Sequence, residues 1–348
     1  MNKLRVHILF EHSADLIPHG CSYIRNILPL THPVNANAFE VTQGVEYSRA
    51  DVLVVERTWK PGISLEAVEQ LVDQVNRDGT CLIYSIDDNL LDLQSIPVNV
   101  RMIVRYLCRQ ADGILVSTEF LKKRLDQLNK KILVVPNAVD ERLFTGNGER
   151  PSPHVPGEDR KIIGYMGTFT HDADLMMVLQ ALRAVLRQQH SSVELQFVGG
   201  FSEVDYLKYF DGLPVRVLRV PTPDVEYPRF VTWMKKNIHW HLGIAPLEAI
   251  DFNLTKSDIK FLDYSALGIP GVYSQVPSYE ATVNHLRTGY LVENTPEAWV
   301  DAMEDLLLDD ALRGKMATAA QEYVFSNRTL EHCAPNWREA IQSIAYIA

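Results

Sequence analysis

Short apolar runs of strand length alternate with longer amphipathic stretches along almost the whole chain. This alternation constrains the fold more than any other feature. Strands separated by helical crossovers pair in parallel, so the chain must build βαβ units with helices on both sheet faces. In the first half the apolar runs are 4–10, 51–56, 80–85, 113–117 and 131–135, and helical patterns cover 21–28, 64–77, 98–110 and 118–128. Ser64, followed by Glu66 and Ala67, gives one helix a capped start, and Gly79 closes it. Residues 145–160, TGNGERPSPHVPGEDR, are rich in Gly, Pro, Ser and charge and have no apolar face, so they read as a linker. The alternation then restarts, with strands at 161–166, 193–198, 215–220, 239–245 and 289–292 and helices at 172–189, 225–237, 296–308, 310–325 and 329–347. The expected fold is α/β: two facing, doubly wound domains with an interdomain cleft. The expected boundaries are 1–150, 151–325 and a C-terminal helix, 326–348, returning to the first domain. In such sheets ligands sit beyond the carboxyl ends of the strands.

A chain of 348 residues suffices for two such domains, and its net charge of −10 argues against a nucleic-acid partner. The four cysteines, Cys21, Cys81, Cys108 and Cys333, show no paired spacing, which fits a reducing compartment. The start, MNKLR, runs directly into a strand, with no signal-peptide pattern. No apolar run approaches the ~20 residues of a membrane span. The expected location is the cytoplasm, including the inner face of a membrane. Two basic helical groups bear on that point: Arg101, Arg105 and Arg109, then Lys122, Lys123, Arg124, Lys130 and Lys131. A solvated face is the favoured reading, and peripheral contact with anionic lipid or a polyprenyl diphosphate is the sharper one.

The segment 242–274, LGIAPLEAIDFNLTKSDIKFLDYSALGIPGVYS, carries the most chemistry. It reads as strand, polar loop, short helix and strand, with Gly268 and Pro270 marking the last turn. Lys256 and Ser257 fall where the loop becomes the helix. Free N–H groups, the helix dipole and an ammonium there would make a diphosphate site. Asp263, two turns in, could hold a sugar hydroxyl. The bland alternative pairs it with Lys260 at i, i+3 on the surface. His239 and His241 alternate on a strand, but a third ligand is lacking, so packing is favoured and no metal is expected. Asp87 and Asp88 end a strand, where they could cap a helix or position an acceptor hydroxyl.

Five segments in order resemble the retaining glycosyltransferases of family four, which have the GT-B fold of two Rossmann-like domains. They are VVPNAVDERLF (134–144), IGYMGTFTHDADLMMVLQAL (163–182), LQFVGG (195–200), FLDYSALGIPGVYS (261–274) and HLRTGYLVENTPEAWVDAMEDLLLDD (285–310). The resemblance implies an acceptor-side first domain and a donor-binding second domain. It implies that Gly167 and Thr168 admit the donor diphosphate, that Lys256 and Ser257 hold its phosphates and that Asp263 binds the ribose. Tyr227 would lie near the base and Arg25 near the phosphates. The family's first acid falls on Thr255 here. Glu248 and Asp251 stand nearby, the latter in Asp251-Phe252-Asn253, and the first acid stays open between them, with Asp251 and Asn253 the candidates carried forward. Asp87 and Asp88 occupy the acceptor-side strand end, where relatives carry a histidine.

The implied activity is transfer of a sugar, with retention, from a nucleotide diphosphate sugar to a hydroxyl of a glycan or lipid-linked glycan, in cell-surface polysaccharide or glycoconjugate synthesis. The donor is a substrate, and no cofactor is expected. Two alternatives keep the fold: a non-catalytic nucleotide-sugar-binding subunit, and a nucleotide-sugar epimerase.

Overall fold

The computed structural model describes residues 3–93, 95–145, 149–152, 160–167, 172–189, 192–199 and 207–346. They form two compact units. The first comprises Met1–Asp140, Leu254–Ser257 and Arg328–Ala348, and the second Glu141–Asn253 and Asp258–Asn327. The short segment Leu254–Ser257 thus groups with the first unit, although its sequence neighbours on both sides belong to the second.

The first unit holds β1 (Leu4–Leu9), β2 (Phe39–Gly44), β3 (Val52–Glu56), β4 (Cys81–Ile86), β5 (Gly113–Val116) and β6 (Ile132–Val134). All pair in parallel, in the order β2-β1-β3-β4-β5-β6. β3, β4 and β5 are buried along their whole length, which is why they read as unbroken apolar runs. β2 is the strand that the apolar pattern misses. It is a half-exposed edge strand, FEVTQG, and needs an apolar side chain at few positions. The Ser64 hydroxyl accepts from the Ala67 amide at 3.2 Å and starts the Leu65–Arg77 helix. Val68, Leu71, Val72 and Val75 form its buried face, each contributing about 1.5–3 kcal/mol by leaving water. The helical pattern at 21–28 is longer than expected, Gly20 to Thr31, with a π-helical turn over Tyr23–Ile27. The C-terminal helix Leu330–Ala345 packs on this unit. Its Trp337 indole donates to the Arg25 carbonyl at 2.7 Å, and Ile344 lies where a side chain at Gly113 would stand.

The second unit holds β7 (Lys161–Gly167), β8 (Val193–Gly199), β9 (Val215–Leu218), β10 (Leu242–Ala245), β11 (Gly271–Ser274) and β12 (Tyr290–Val292). Its sheet is also parallel, in the order β12-β11-β10-β7-β8-β9. Strand order reverses at β7, so the crevice at the β7 and β10 carboxyl ends is this unit's topological switch point. β7 and β10 pair only at Leu242↔Ile163 and Gly243↔Gly164. Beyond that, the Tyr264 hydroxyl bridges them, donating to the Ile244 carbonyl at 3.1 Å and accepting from the Met166 amide at 3.2 Å. Gly164 makes room for the Trp240 ring, since a Cβ there would lie 1.7 Å from the indole. The expected helix 172–189 is two, Asp172–Met177 and Leu179–Gln188, parted at Val178. The strand expected at 239–245 begins at Leu242, so His239 and His241 precede it. His239 is exposed, while His241 is buried and its Nδ1 accepts from the Ile162 amide at 3.0 Å. They do not share a face, and His241 serves packing. The linker expected at 145–160 lies largely outside the described residues.

Candidate functional site

In the second unit, a cavity of about 340 Å³ opens at the carboxyl ends of β7 and β8. Met166 and Gly167 line it from β7, Val198 and Gly199 from β8, and Val220, Val225 and Phe230 from the segment after β9. The Ile259–Ala266 helix closes it with Ile259, Lys260 and Asp263. Gly199 has φ +68°, and a Cβ there would stand 2.3 Å from the Gly167 carbonyl oxygen, so the two strand ends approach closely only because this residue is glycine. Tyr264, wedged between β7 and β10, fixes the helix's rotation, and its neighbour Asp263 then points into the cavity.

Asp263 is buried, at 6% exposure. Burial pushes its carboxyl up to about 7, against the opposing pull of Lys260 and of the Tyr227 hydroxyl, which donates to Oδ1 at 3.5 Å. Lys260 is buried too, and its ammonium lies 5.7 Å from the Tyr165 ring centroid. A surface ion pair between the two, the bland expectation, is therefore excluded. The cavity is mostly apolar, with a few convergent polar groups and a carboxyl of raised pKa, the pattern of a small-molecule site.

The helix does not start at Lys256 and Ser257. Its first residue is Ile259, preceded by Asp258 at the cap, and Asp263 is its fifth residue rather than two turns in. Lys256 and Ser257 belong to the segment that groups with the first unit. There the Thr255 carbonyl accepts from the Thr118 hydroxyl at 2.8 Å, and the Ser257 hydroxyl accepts from the Asn137 amide at 2.8 Å. The Lys256 ammonium stands 3.9 Å from Asp88 Oδ1. Both residues therefore precede the helix, whereas the sequence suggested that they open it. Asn253 is buried, and its amide donates to Asp174 Oδ1 at 2.8 Å and to the Glu248 carbonyl at 3.1 Å, so it braces the loop. Asp251 is exposed at the start of the one-turn helix Asp251–Leu254. Thr168 lies outside the described residues.

The first unit gathers charge at the carboxyl ends of β1, β3 and β4, beside its own switch point. Arg57 is the hub. Its guanidinium donates to Glu11 Oε2 at 3.0 Å and Asp88 Oδ2 at 3.1 Å, and lies 3.7 Å from Asp87 Oδ1. Arg57 has φ +45°, a left-handed conformation costly for a residue with a Cβ and found where the surroundings impose it. His19 reaches Glu11 Oε2 at 3.6 Å, which raises the imidazole's pKa. Burial pushes the Glu56 carboxyl up to about 7, while Oε2 accepts from the Glu11 amide at 3.1 Å. Burial also raises Asp87, and its neighbour Asp88 adds to the shift, against the pull of Arg57. Asp87 and Asp88 thus sit in one charge cluster with Lys256, as members of a network rather than as helix caps. Arg25 is 1% exposed, and its Nη1 donates to the Val135 carbonyl at 2.6 Å and to Asn137 Oδ1 at 2.7 Å. Burial lowers its pKa to about 10. It organises the first unit's interior, beneath the carboxylates. The sequence reading missed Arg57, Glu11, Glu56 and Lys260. The legible signal for the first three was charge directly following apolar strands.

Residues 160–309, which carry the cavity and Asp263, match the family model described as glycosyl transferases group 1. Apart from Leu254–Ser257, the matched residues lie in the second unit. The chain is 21% identical over 206 residues to the putative teichuronic acid biosynthesis glycosyltransferase TuaH of Bacillus subtilis. That match covers 58% of this chain and 50% of the relative, so the chain matches only half the relative's length. HepE from Anabaena, solved with UDP and glucose, superposes with a TM-score of 0.67 at 12% identity over 98% of this chain and 100% of that one. The sucrose-phosphate synthase of Thermosynechococcus elongatus gives 0.64 at 14% identity, covering all of both chains. A glycosyltransferase of Rickettsia africae gives 0.63 at 13% identity, again over all of both chains. These likenesses are of fold, the GT-B fold.

Proposed function

We propose that the chain is a glycosyltransferase. It moves a sugar from a nucleotide diphosphate sugar to a hydroxyl of a glycan or lipid-linked glycan, with retention of configuration. The observation that carries this reading is Asp263, a buried carboxylate in an apolar cavity at the carboxyl ends of β7 and β8, inside the segment that matches the group 1 model. An ionised carboxylate only accepts hydrogen bonds, which suits the paired hydroxyls of a ribose. The apolar wall of Val198, Val220, Val225 and Phe230 suits the flat base beside it. HepE, with UDP and glucose, and TuaH, named for teichuronic acid synthesis, support a nucleotide donor and a surface-glycan product.

In the reaction the bond from the sugar's anomeric carbon to the diphosphate oxygen breaks, and a bond to the acceptor oxygen forms. The acceptor proton passes to the departing phosphate, while Asp87 and Asp88 orient the acceptor hydroxyl. Arg57 holds those carboxylates in place. The reading assigns no resident cofactor. Among the described residues no helix is long and apolar enough to cross a membrane. Exposed Val98, Met102 and Phe120, beside Arg101, Arg105 and Lys123, suit contact with the membrane that would hold a lipid-linked acceptor.

The test is an assay of nucleotide release from a panel of UDP-, GDP- and ADP-sugars, with and without glycan and polyprenyl-linked acceptors. Acceptor-dependent release from one donor class is the expected result. Tight nucleotide binding without turnover on any acceptor would point instead to a binding subunit. An isomeric nucleotide sugar formed without acceptor would point to an epimerase.

A further inference from the structure

Two charged side chains line the second unit's cavity among the described residues, and they are opposite in sign: Asp263 and Lys260. They stand three residues apart on one helix face, at 6% and 9% exposure. A lysine on a helix normally carries its ammonium into water. Here it is held on the β7 side, 5.7 Å from the Tyr165 ring centroid, and the next β7 residues, Met166 and Gly167, form the cavity's edge. Burying an ammonium is costly unless negative charge or an aromatic face meets it.

We infer that Lys260 is the cation that meets the nucleotide's phosphates in this cavity. The inference rests on reading the cavity as the nucleotide site. A nucleoside diphosphate arrives with its own negative charge, and Asp263 alone would repel it. The two side chains divide the ligand by chemistry: the carboxylate accepts from hydroxyls, and the ammonium donates to phosphate oxygens. Lys256, the cation that the sequence favoured for this task, lies 3.9 Å from Asp88 in the first unit.

The test compares a nucleotide with its nucleoside. UDP, GDP and ADP are titrated calorimetrically into the wild-type chain. The tightest binder and its nucleoside are then measured on Lys260→Met, Lys260→Gln and Lys260→Arg, each checked for folding by thermal melt. Diphosphate affinity is expected to fall at least about tenfold in the Met and Gln variants, the strength of a charge-assisted hydrogen bond. Nucleoside affinity is expected to stay unchanged, Arg to restore part of the loss, and the salt dependence of diphosphate binding to flatten. Equal losses for nucleotide and nucleoside would place Lys260 on the base or ribose and overturn the inference. So would an unchanged diphosphate affinity. A wild-type chain that binds no nucleoside diphosphate would sink the nucleotide reading itself.

Discussion

Asp263→Asn is expected to weaken nucleotide-sugar binding by about 30- to 150-fold while making the unliganded protein more stable at pH 8. Two ribose hydrogen bonds to a charged acceptor account for about 2–3 kcal/mol of the loss. The gain in stability has a separate origin. Burial raises the Asp263 carboxyl to about 7, above its value in the unfolded chain. The folded state therefore binds the proton more readily than the unfolded state. Keeping the group ionised costs stability above pH 7, and the cost is relieved as pH falls from 7 towards the unfolded value near ~4. Asparagine removes the charge at every pH, so the melting temperature should rise most at pH 8, less at pH 5 and little at about pH 4 or below. Ligand binding needs the carboxylate, so wild-type affinity for a nucleotide sugar should fall as pH drops from 8 to 6. The asparagine variant should show no such slope. Calorimetry across that range, paired with thermal melts, reads both effects. Loss of stability at pH 8 together with unchanged affinity would refute this assignment.

Arg57→Met should be the most destabilising single change in the first unit. It leaves Glu11, Asp87 and Asp88 gathered around a missing charge. Removing one partner of a buried ionic network costs about 3–5 kcal/mol, because the stranded charges cannot return to water. Without Arg57 the raised Asp87 carboxyl moves higher still, since the Arg57 guanidinium pulls it down more than Arg25 does. The folded state can then escape the repulsion by taking up protons. The drop in melting temperature should therefore be largest at pH 8 and shrink towards pH 5. Transfer activity should fall more than stability does, because the carboxylates assigned to the acceptor lose their orientation. Arg57→Lys should recover part of the stability and little of the activity, since an ammonium cannot reach three carboxylates in one plane. A pH-independent drop in melting temperature would show that the loss is one of packing and not of charge.

The fold was legible because parallel strands buried on both faces must be apolar throughout. β3 and β4 announced themselves, whereas β2, a half-exposed edge strand, did not. Asp263 stood out in the sequence from its place in a segment that resembles a family motif, and the structure puts it in the cavity wall. Lys260 was not: a lysine three residues from an aspartate on a helix looks solvated until the tertiary structure buries both. Arg57 was hidden for another reason. Its partners come from the ends of two other strands, β1 and β4, and nothing local in the sequence brings Glu11, Asp87 and Asp88 to one guanidinium. Lys256 and Ser257 were read from the helix-tip rule, but chain direction fixed their place: the helix begins two residues later, and the preceding segment turns to Thr118, Asn137 and Asp88.

Locating a bound nucleotide sugar by amide hydrogen exchange tests the central claim most directly. Saturating UDP-glucose, or whichever donor the panel selects, should slow exchange at the carboxyl end of Lys161–Gly167, at the end of Val193–Gly199 and across Ile259–Ala266. Protection confined to other parts of the chain, with these three segments unchanged at saturation, would contradict it.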